Sequence, residues 1–115
     1  MLPKPNRLQT NYEFSKVQRY GQSYQTPYFI LICYQNPKRK NQPTRFGFIA
    51  SKKFDKRAVK RNRARRLMRE AVLKNISKIK NGYDVVLVAK HNIKNASFKE
   101  VFVEFNKILS KVSLA

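Results

Sequence analysis

The residues best suited to chemistry in this sequence are cations, and they are concentrated in residues 51–70. Ten of these twenty residues are Lys or Arg, and two are acidic. Six of the ten are Arg, whose planar guanidinium donates paired hydrogen bonds to phosphate oxygens and stacks on nucleobases. This composition predicts recognition of a polyanion rather than acid–base or nucleophilic catalysis.

A helix through this segment has two distinct faces when its residues are placed 100° apart. The face predicted to pack on a sheet is apolar and consists of Ala64, Leu67, Met68, Ala71, Val72 and Ile79. The opposite face is polar and consists of Asn62, Arg65, Arg66 and Arg69, with Arg61 and Arg63 at its edges. Like charges at Arg65 and Arg69 destabilise a helix by about 0.2–0.5 kcal/mol, so this face is better explained by a ligand than by stability. Asn62 adds a neutral donor and acceptor suited to a 2′-hydroxyl or a base edge.

The whole chain, and not only this segment, is strongly basic. Its 115 residues include 26 Lys or Arg against 6 Asp or Glu, a formal net charge of +20. A chain of this length holds one domain, predicted to span residues 1–115, and an apolar content of 42% suffices for a small core. Self-repulsion opposes folding of so basic a chain, so the imbalance indicates a polyanionic partner, either nucleic acid or an anionic membrane.

Other classes of protein are excluded by what the sequence lacks. It has no apolar run of about 18 residues to span a membrane and no signal peptide. A single cysteine, Cys33, and a single histidine, His91, leave no disulfide framework and no multi-histidine site. The acidic residues are scattered singly, at Glu13, Asp55, Glu70, Asp84, Glu100 and Glu104. We expect a soluble, cytoplasmic protein with no membrane span and with neither catalytic nor metal-binding residues.

Local signals predict a short first helix after an N-terminal arm. Residues 1–9 contain two prolines and are predicted to form an extended arm. Thr10 and Glu13 fit a capping box for a helix over 11–20. Gly21 is predicted to end that helix in the left-handed conformation.

Two further helices follow. Asp55 is predicted to cap the basic helix, which we expect over residues 56–79. Ser97 and Glu100 form a second capping box, which opens a helix that ends near Val112. The apolar residues of this last helix recur on one face.

Three apolar segments predict strands, over 28–34, 45–51 and 84–89. The first two are expected to pair antiparallel across a basic loop, residues 36–43. The order α-β-β-α-β-α predicts an α/β fold, a small sandwich with helices packed on a single sheet, and residues 22–26 are a candidate for one further short strand. The passage through the basic helix is a crossover, which permits parallel pairing.

Three kinds of polyanion fit this pattern. A DNA-reading helix is disfavoured because neither a helix-turn-helix nor a zipper surrounds the basic helix. A membrane-surface helix is disfavoured because its apolar face carries small residues, Leu and Met rather than Trp or Phe. RNA is favoured, and composition alone leaves open whether the chain serves RNA processing or is a structural RNA-binding protein.

One arrangement resembles a known family. A strand that ends in Lys52-Lys53, followed within a basic helix by Arg61-Asn62-Arg63, is similar to the signature of the protein subunit of bacterial ribonuclease P. The resemblance covers roughly residues 6–112. It implies a left-handed βαβ crossover, against the usual preference, and a protein monomer in a 1:1 complex with a large catalytic RNA. That complex would remove the 5′ leader of precursor tRNA, with catalysis by the RNA and by Mg²⁺ held mainly by the RNA and substrate.

The resemblance also implies two binding surfaces. The residues implied to dock on the catalytic RNA are Lys52, Lys53, Arg57, Arg61, Asn62, Arg63, Arg65, Arg66 and Arg69. The resemblance implies a cleft for the leader that is lined by Phe14 and by the strand position of Ile32. Tyr28, Ile30 and Tyr34 are predicted to lie on the same strand face as Ile32, and the two tyrosines are candidates to stack on leader bases. This chain carries Gln18 and Ile32 where related proteins can have aromatic residues. For Phe14, a purely structural role in the core is the competing interpretation.

Three other features have simpler interpretations. Cys33 is predicted to be a buried, inert thiol. His91 is predicted to be a surface residue without a role. The residues of a second basic patch are Lys38, Arg39, Lys40 and Arg45, for which RNA contact and simple solvation are both open.

Overall fold

The computed structural model describes residues 2–114, so the first residue of the predicted arm and the last residue of the predicted domain lie outside the described residues. The helices and strands are α1 (Asn11–Tyr20), β1 (Gln22–Gln25), β2 (Phe29–Gln35), β3 (Arg45–Ile49), α2 (Ala58–Lys74), β4 (Tyr83–Ala89) and α3 (Phe98–Lys111). A single four-stranded sheet with three helices confirms the predicted α/β class. The candidate short strand is present as β1. No helix within this range is long and apolar enough to cross a membrane.

The sheet has the order β1-β2-β4-β3. β2 pairs antiparallel with β1 and with β4, and β3 pairs parallel with β4. The prediction that β2 and β3 pair with each other was therefore wrong. β4 lies between them because its residues 84–87 are all buried, and a strand that is buried on both faces is most stable at the centre of a sheet. α2 is the crossover between the parallel strands β3 and β4.

The two faces of the sheet are covered by different helices. Phe29 and Leu31 of β2 belong to the larger core with α2 and α3, which also contains Met68 and Phe105. Val86 belongs to a smaller core on the opposite face, with residues of α1 and of the N-terminal arm. The smaller core leaves part of this face half-exposed, and the predicted leader cleft lies there.

α1 begins and ends at the predicted residues, but it does not end in the predicted conformation. Thr10 and Glu13 form both hydrogen bonds of the capping box. Gly21 has φ −79° and ψ 166°, an extended conformation that any residue adopts. Glycine is needed there for space, because a Cβ atom would lie 2.6 Å from the Val17 carbonyl oxygen and 2.9 Å from the Cys33 carbonyl oxygen.

α2 is shorter than predicted at both ends. The residue before its first turn is Arg57, whose side chain makes no capping hydrogen bond, so the prediction of Asp55 as the N-cap was wrong. Asp55 instead accepts the Arg57 N–H and guanidinium and fixes the loop before the helix. α2 ends at Lys74 because the side chain of Asn75 bonds the Ala71 carbonyl, and a 3₁₀ turn follows. Ile79 lies beyond the helix and is half-buried.

The N-terminal residues pack along the outer edge of β3. A 3₁₀ turn spans Lys4–Asn6, and Arg7 then forms a parallel bridge with Phe46. Leu2 and Leu8 are buried, at 2% and 7% exposure. The segment covers an edge strand that would otherwise present unpaired backbone groups to solvent.

Candidate nucleic-acid interface

The two faces of α2 agree with the helical pattern of the sequence. Its buried residues are Ala64, Leu67, Met68, Ala71 and Val72. Asn62 and Arg66 on the opposite face are exposed, and Arg65 and Arg69 are half-exposed. The Arg65 guanidinium donates to the Asn62 side-chain oxygen and to the Ala50 carbonyl, which holds it between α2 and the end of β3. Arg65 is therefore an ordered cation of this face, whereas Arg66 and Arg69 make no side-chain hydrogen bond or ion pair within the described residues.

Two arginines of the Arg61-Asn62-Arg63 triplet turn toward the protein. Arg63 donates to the carbonyl oxygens of Ile93, Lys94 and Ala96, at 3.4, 3.2 and 2.8 Å. Arg61 donates to two carbonyl oxygens of the loop that precedes α2. Both guanidinium groups thus bind backbone carbonyls of neighbouring loops, and only Asn62 of the triplet is fully exposed.

A basic depression of about 890 Å³ lies beside the start of α2. It is lined by Lys52, Lys53, Asp55, Lys56, Arg57 and Lys94. Its single carboxylate, Asp55, forms ion pairs with Arg57 and Lys94, at 2.9 and 3.4 Å. The hydrogen bonds that the Asp55 carboxylate accepts, above all those from Arg57, lower the pKa of Asp55 well below its usual range. The depression consequently keeps an excess of positive charge at neutral pH.

Lys56 and Lys94 are members of this depression that the sequence did not single out. Lys56 stands within the basic segment, so charge density was its signal. Lys94 is distant in sequence and arrives through the 3₁₀ turn His91–Asn95, which no local pattern connects with α2. Its Nζ also lies 5.0 Å from the centre of the Phe54 ring. Lys94 thus joins the turn to the loop before α2 through two contacts, one with Asp55 and one with Phe54.

Four of the five predicted cleft residues share one face of the sheet. Phe14, Ile32 and Tyr34 surround the smaller core, and Ile30 lies on the same face by strand alternation. Phe14 is half-buried, and its ring sits against Gly47, where a Cβ atom would overlap it. Phe14 therefore meets the backbone of β3 and is not enclosed in the main core.

Tyr28 does not belong to this cleft. It precedes β2 and packs on the opposite core, where its hydroxyl donates to Glu100 of α3 at 3.0 Å. That hydrogen bond raises the pKa of Tyr28. The predicted common face of Tyr28 and Ile30 was wrong because the strand begins only at Phe29. An aromatic residue that the prediction missed is Tyr20, 61% exposed, with its ring centre 6.4 Å from that of Tyr34.

The second basic patch is divided between ion pairs and solvent. Arg45 forms a paired contact with buried Asp84, at 2.9 and 2.8 Å, and also bonds Glu13 at 2.6 Å. Asp84 is the main reason that the pKa of Arg45 is raised. Lys38 and Lys40 remain exposed. Arg45 therefore ties β3 to β4 and α1, which leaves the lysines as the accessible charges of this loop.

The remaining reactive side chains form no catalytic arrangement in the described range. Cys33 is half-buried, and burial raises its thiol pKa to about 12, so it carries no thiolate at neutral pH. His91 is exposed at the start of its turn. Among residues 2–114, no three His, Cys, Asp or Glu side chains converge on a point where they could hold a metal ion. The candidate binding features of the described surface are therefore its cations and its cleft.

Comparison with known proteins agrees with this geometry. The family model described as ribonuclease P matches residues 2–113. The ribonuclease P protein component of Fusobacterium nucleatum is 38% identical over 107 residues, which cover 90% of this chain and 93% of that protein. The component of Clostridioides difficile is 35% identical over 109 residues, covering 94% and 92%.

Solved structures share the fold. A Staphylococcus aureus RNase P protein mutant with defective mRNA degradation activity superposes with a TM-score of 0.85 at 23% identity, covering 97% of this chain and 92% of that one. The RNase P protein from Thermotoga maritima gives a TM-score of 0.77 at 25% identity, covering 91% and 96%. With the match along nearly the whole sequence, these likenesses show that the chain belongs to the ribonuclease P protein family.

Proposed function

We propose that this protein is the cytoplasmic protein subunit of a bacterial ribonuclease P. It binds one catalytic RNA as a monomer, holds the 5′ leader of precursor tRNA, and assists the endonucleolytic removal of that leader. The observation that carries the proposal is the basic face of α2 beside the Lys52–Lys53 depression, in a chain that belongs to this family.

The charge of the protein supplies the physical contribution. Two folded RNAs repel each other, and a subunit with a net charge of +20 lowers that repulsion where they meet. Lys and Arg side chains displace the counterions bound to RNA phosphates when they contact them, so binding becomes strongly dependent on salt. Arg57, Arg65 and Lys94 are held by hydrogen bonds or ion pairs before RNA arrives, which reduces the entropy that these three side chains lose on binding.

The cleft supplies contacts to a single strand. Unstacked bases bind to aromatic side chains with about 1–3 kcal/mol per base. Phe14 and Tyr34 offer such surfaces around an aliphatic floor that includes Ile32. The leader lies there, and bond cleavage is left to the RNA and its Mg²⁺ ions, because the described side chains offer neither an acid–base pair nor a cluster of metal ligands.

Substitution of Phe14 tests the cleft. We expect Phe14→Ala to raise KM for a precursor with a leader by about five- to 100-fold, and to leave KM unchanged for a substrate with a single-nucleotide leader. Arg66→Gln is the matched variant on the other surface, and it should weaken binding of the catalytic RNA whichever substrate is used. Equal losses from Phe14→Ala for both substrates would contradict the leader assignment.

A further inference from the structure

A small pocket lies where the N-terminal segment, β3, α1 and α2 meet. Its volume is about 280 Å³, and its lining includes Phe14, Gly47, Phe48 and two arginines, Arg7 and Arg69. Leu2 and Leu8 of the N-terminal segment also line it. The volume is just below the roughly 300 Å³ at which pockets for drug-sized ligands begin, which suits one nucleobase and not a run of nucleotides.

The two arginines of the pocket have no anionic partner in the described chain. Neither guanidinium is part of an ion pair among residues 2–114, whereas Arg45 and Arg57 each bond a carboxylate. The Nε atom of Arg7 is buried without a hydrogen-bond partner in that range. Two unpaired guanidinium groups at one small pocket favour an anionic ligand.

The edge of β3 leaves one peptide group open at the pocket. The Phe46 carbonyl accepts the Leu8 N–H at 2.9 Å, so the backbone of Phe46 faces the outer edge of the sheet. Backbone groups alternate along a strand, so those of Phe48 and Ala50 face the same edge. The Ala50 carbonyl accepts Arg65 at 2.9 Å. The Phe48 N–H and carbonyl lie between these two closed positions. Within the described residues, the N–H donates no hydrogen bond to the N-terminal segment or to a side chain, and the carbonyl accepts none from them.

An adjacent N–H and carbonyl on a strand edge match the donor and acceptor pairs that nucleobases carry on their edges. The Phe14 ring provides an apolar wall beside this edge, and it can lie there because Gly47 has no Cβ atom to overlap it. Arg7 and Arg69 line the same pocket, so their positive charges are near any nucleotide bound there.

We infer that this pocket binds one unpaired nucleotide of the catalytic RNA, with its base at the Phe48 peptide and its phosphates at Arg7 and Arg69. The inference rests on the proposed function. The catalytic RNA is the favoured source because Arg69 and the edge-closing Arg65 both belong to α2. Of the cleft residues only Phe14 lines this pocket, whereas Ile30, Ile32 and Tyr34 of β2 do not, so the pocket is separate from most of the leader cleft.

The first experiment uses the free protein and nucleoside monophosphates as probes. Backbone amide signals are followed by NMR during titration with AMP, GMP, CMP and UMP, and with ribose 5-phosphate as the control for phosphate alone. We expect at least one nucleotide to shift the Gly47 and Phe48 amides at concentrations where ribose 5-phosphate leaves them unchanged. Equal shifts from the control, or none from any nucleotide, would overturn the pocket even if the protein proves to activate a catalytic RNA.

The second experiment measures binding of the catalytic RNA in the absence of substrate. Gly47→Ala places a Cβ atom where it overlaps the Phe14 ring and so displaces this wall of the pocket without changing charge. Affinity should fall at least about fivefold with an unchanged salt dependence. Arg7→Gln should also weaken binding and should flatten the salt dependence, whereas Lys99→Gln, an exposed charge on α3, should change affinity less than twofold. If Gly47→Ala leaves this affinity intact but raises KM for leader-bearing precursor, the nucleotide belongs to the leader and the inference is overturned. Circular dichroism tests whether each variant is folded. If Gly47→Ala does not fold, the NMR titration of the unmodified protein decides whether the pocket binds a nucleotide.

Discussion

Arginines that are neighbours on α2 differ in what they contact. Arg63 donates to three backbone carbonyls and holds the turn that carries Lys94, whereas Arg66 is exposed and bonds no described residue. Helical periodicity placed the first at the edge of the basic face, but a side chain as long as that of Arg reaches either solvent or protein from such a position. The role of an edge arginine is therefore decided by the carbonyls within its reach.

This contrast predicts that the same substitution, Arg to Gln, affects stability at position 63 and RNA binding at position 66. Arg63→Gln should destabilise the fold by roughly 1–3 kcal/mol, because carbonyls in the interior lose charged donors. Arg66→Gln should change stability by less than about 0.5 kcal/mol and should lower the log–log salt slope of RNA binding by roughly 0.7–0.9. Thermal unfolding and RNA titrations at several salt concentrations measure both quantities. A lower melting temperature for Arg66→Gln than for Arg63→Gln would contradict these assignments.

Glu13 couples the stability of the fold to pH. Burial alone raises its pKa, but the backbone N–H groups of Gln9 and Thr10, together with Arg45, outweigh this and lower the pKa below its ordinary value of 4.5. A lowered pKa in the folded state stabilises the fold above the ordinary pKa, and that contribution is lost as pH falls through the folded value. The melting temperature should therefore decrease as the pH is lowered below about 4.5.

Two variants isolate this contribution. Glu13→Gln should be less stable than the parent at pH 7, with the difference shrinking as pH falls toward 3. Glu70→Gln removes an exposed carboxylate that forms no ion pair among the described residues, so its melting temperature should follow the parent at every pH. A constant difference between Glu13→Gln and the parent from pH 7 to pH 3 would show that the carboxylate charge is not what stabilises α1.

At the level of elements, local signals predicted the helices well and the strand pairing poorly. The capping boxes at Thr10 and Ser97 act within four residues, and the structure has both. The place of β4 between β2 and β3 depends on contacts between segments far apart in sequence, which no hairpin signal expresses. The short strand β1 is polar, and only its pairing with β2 makes it a strand. The basic face of α2 follows from helical periodicity and was predictable. The place of Lys94 in the depression beside α2 depends on a contact between distant segments, so the sequence did not predict it.

Gly21 offers a test of why α1 ends where it does. A left-handed helix end tolerates Asn, but an extended residue crowded by two carbonyls tolerates no side chain larger than hydrogen. Gly21→Asn and Gly21→Ala should therefore destabilise the fold to a similar extent, by roughly 1–3 kcal/mol. Denaturant unfolding gives both values. A much smaller loss for Asn than for Ala would indicate a left-handed residue and contradict the extended backbone.

For the whole molecule, charge is arranged rather than merely abundant. The described carboxylates at Glu13, Asp55 and Asp84 are engaged with arginines that brace loops and strands. Other cations remain accessible along α2 and around the depression at its start. The fold thus separates structural ion pairs from a surface available to phosphate, on a scaffold with an aromatic cleft on the other face of the sheet.

The most direct test of the central claim is cleavage of precursor tRNA by a bacterial catalytic RNA at low Mg²⁺, with and without this protein. The account predicts that neither component alone removes the leader under these conditions, and that the mixture releases it at the mature 5′ end. Cleavage by the protein alone, or a catalytic RNA whose activity the protein leaves unchanged, would contradict it.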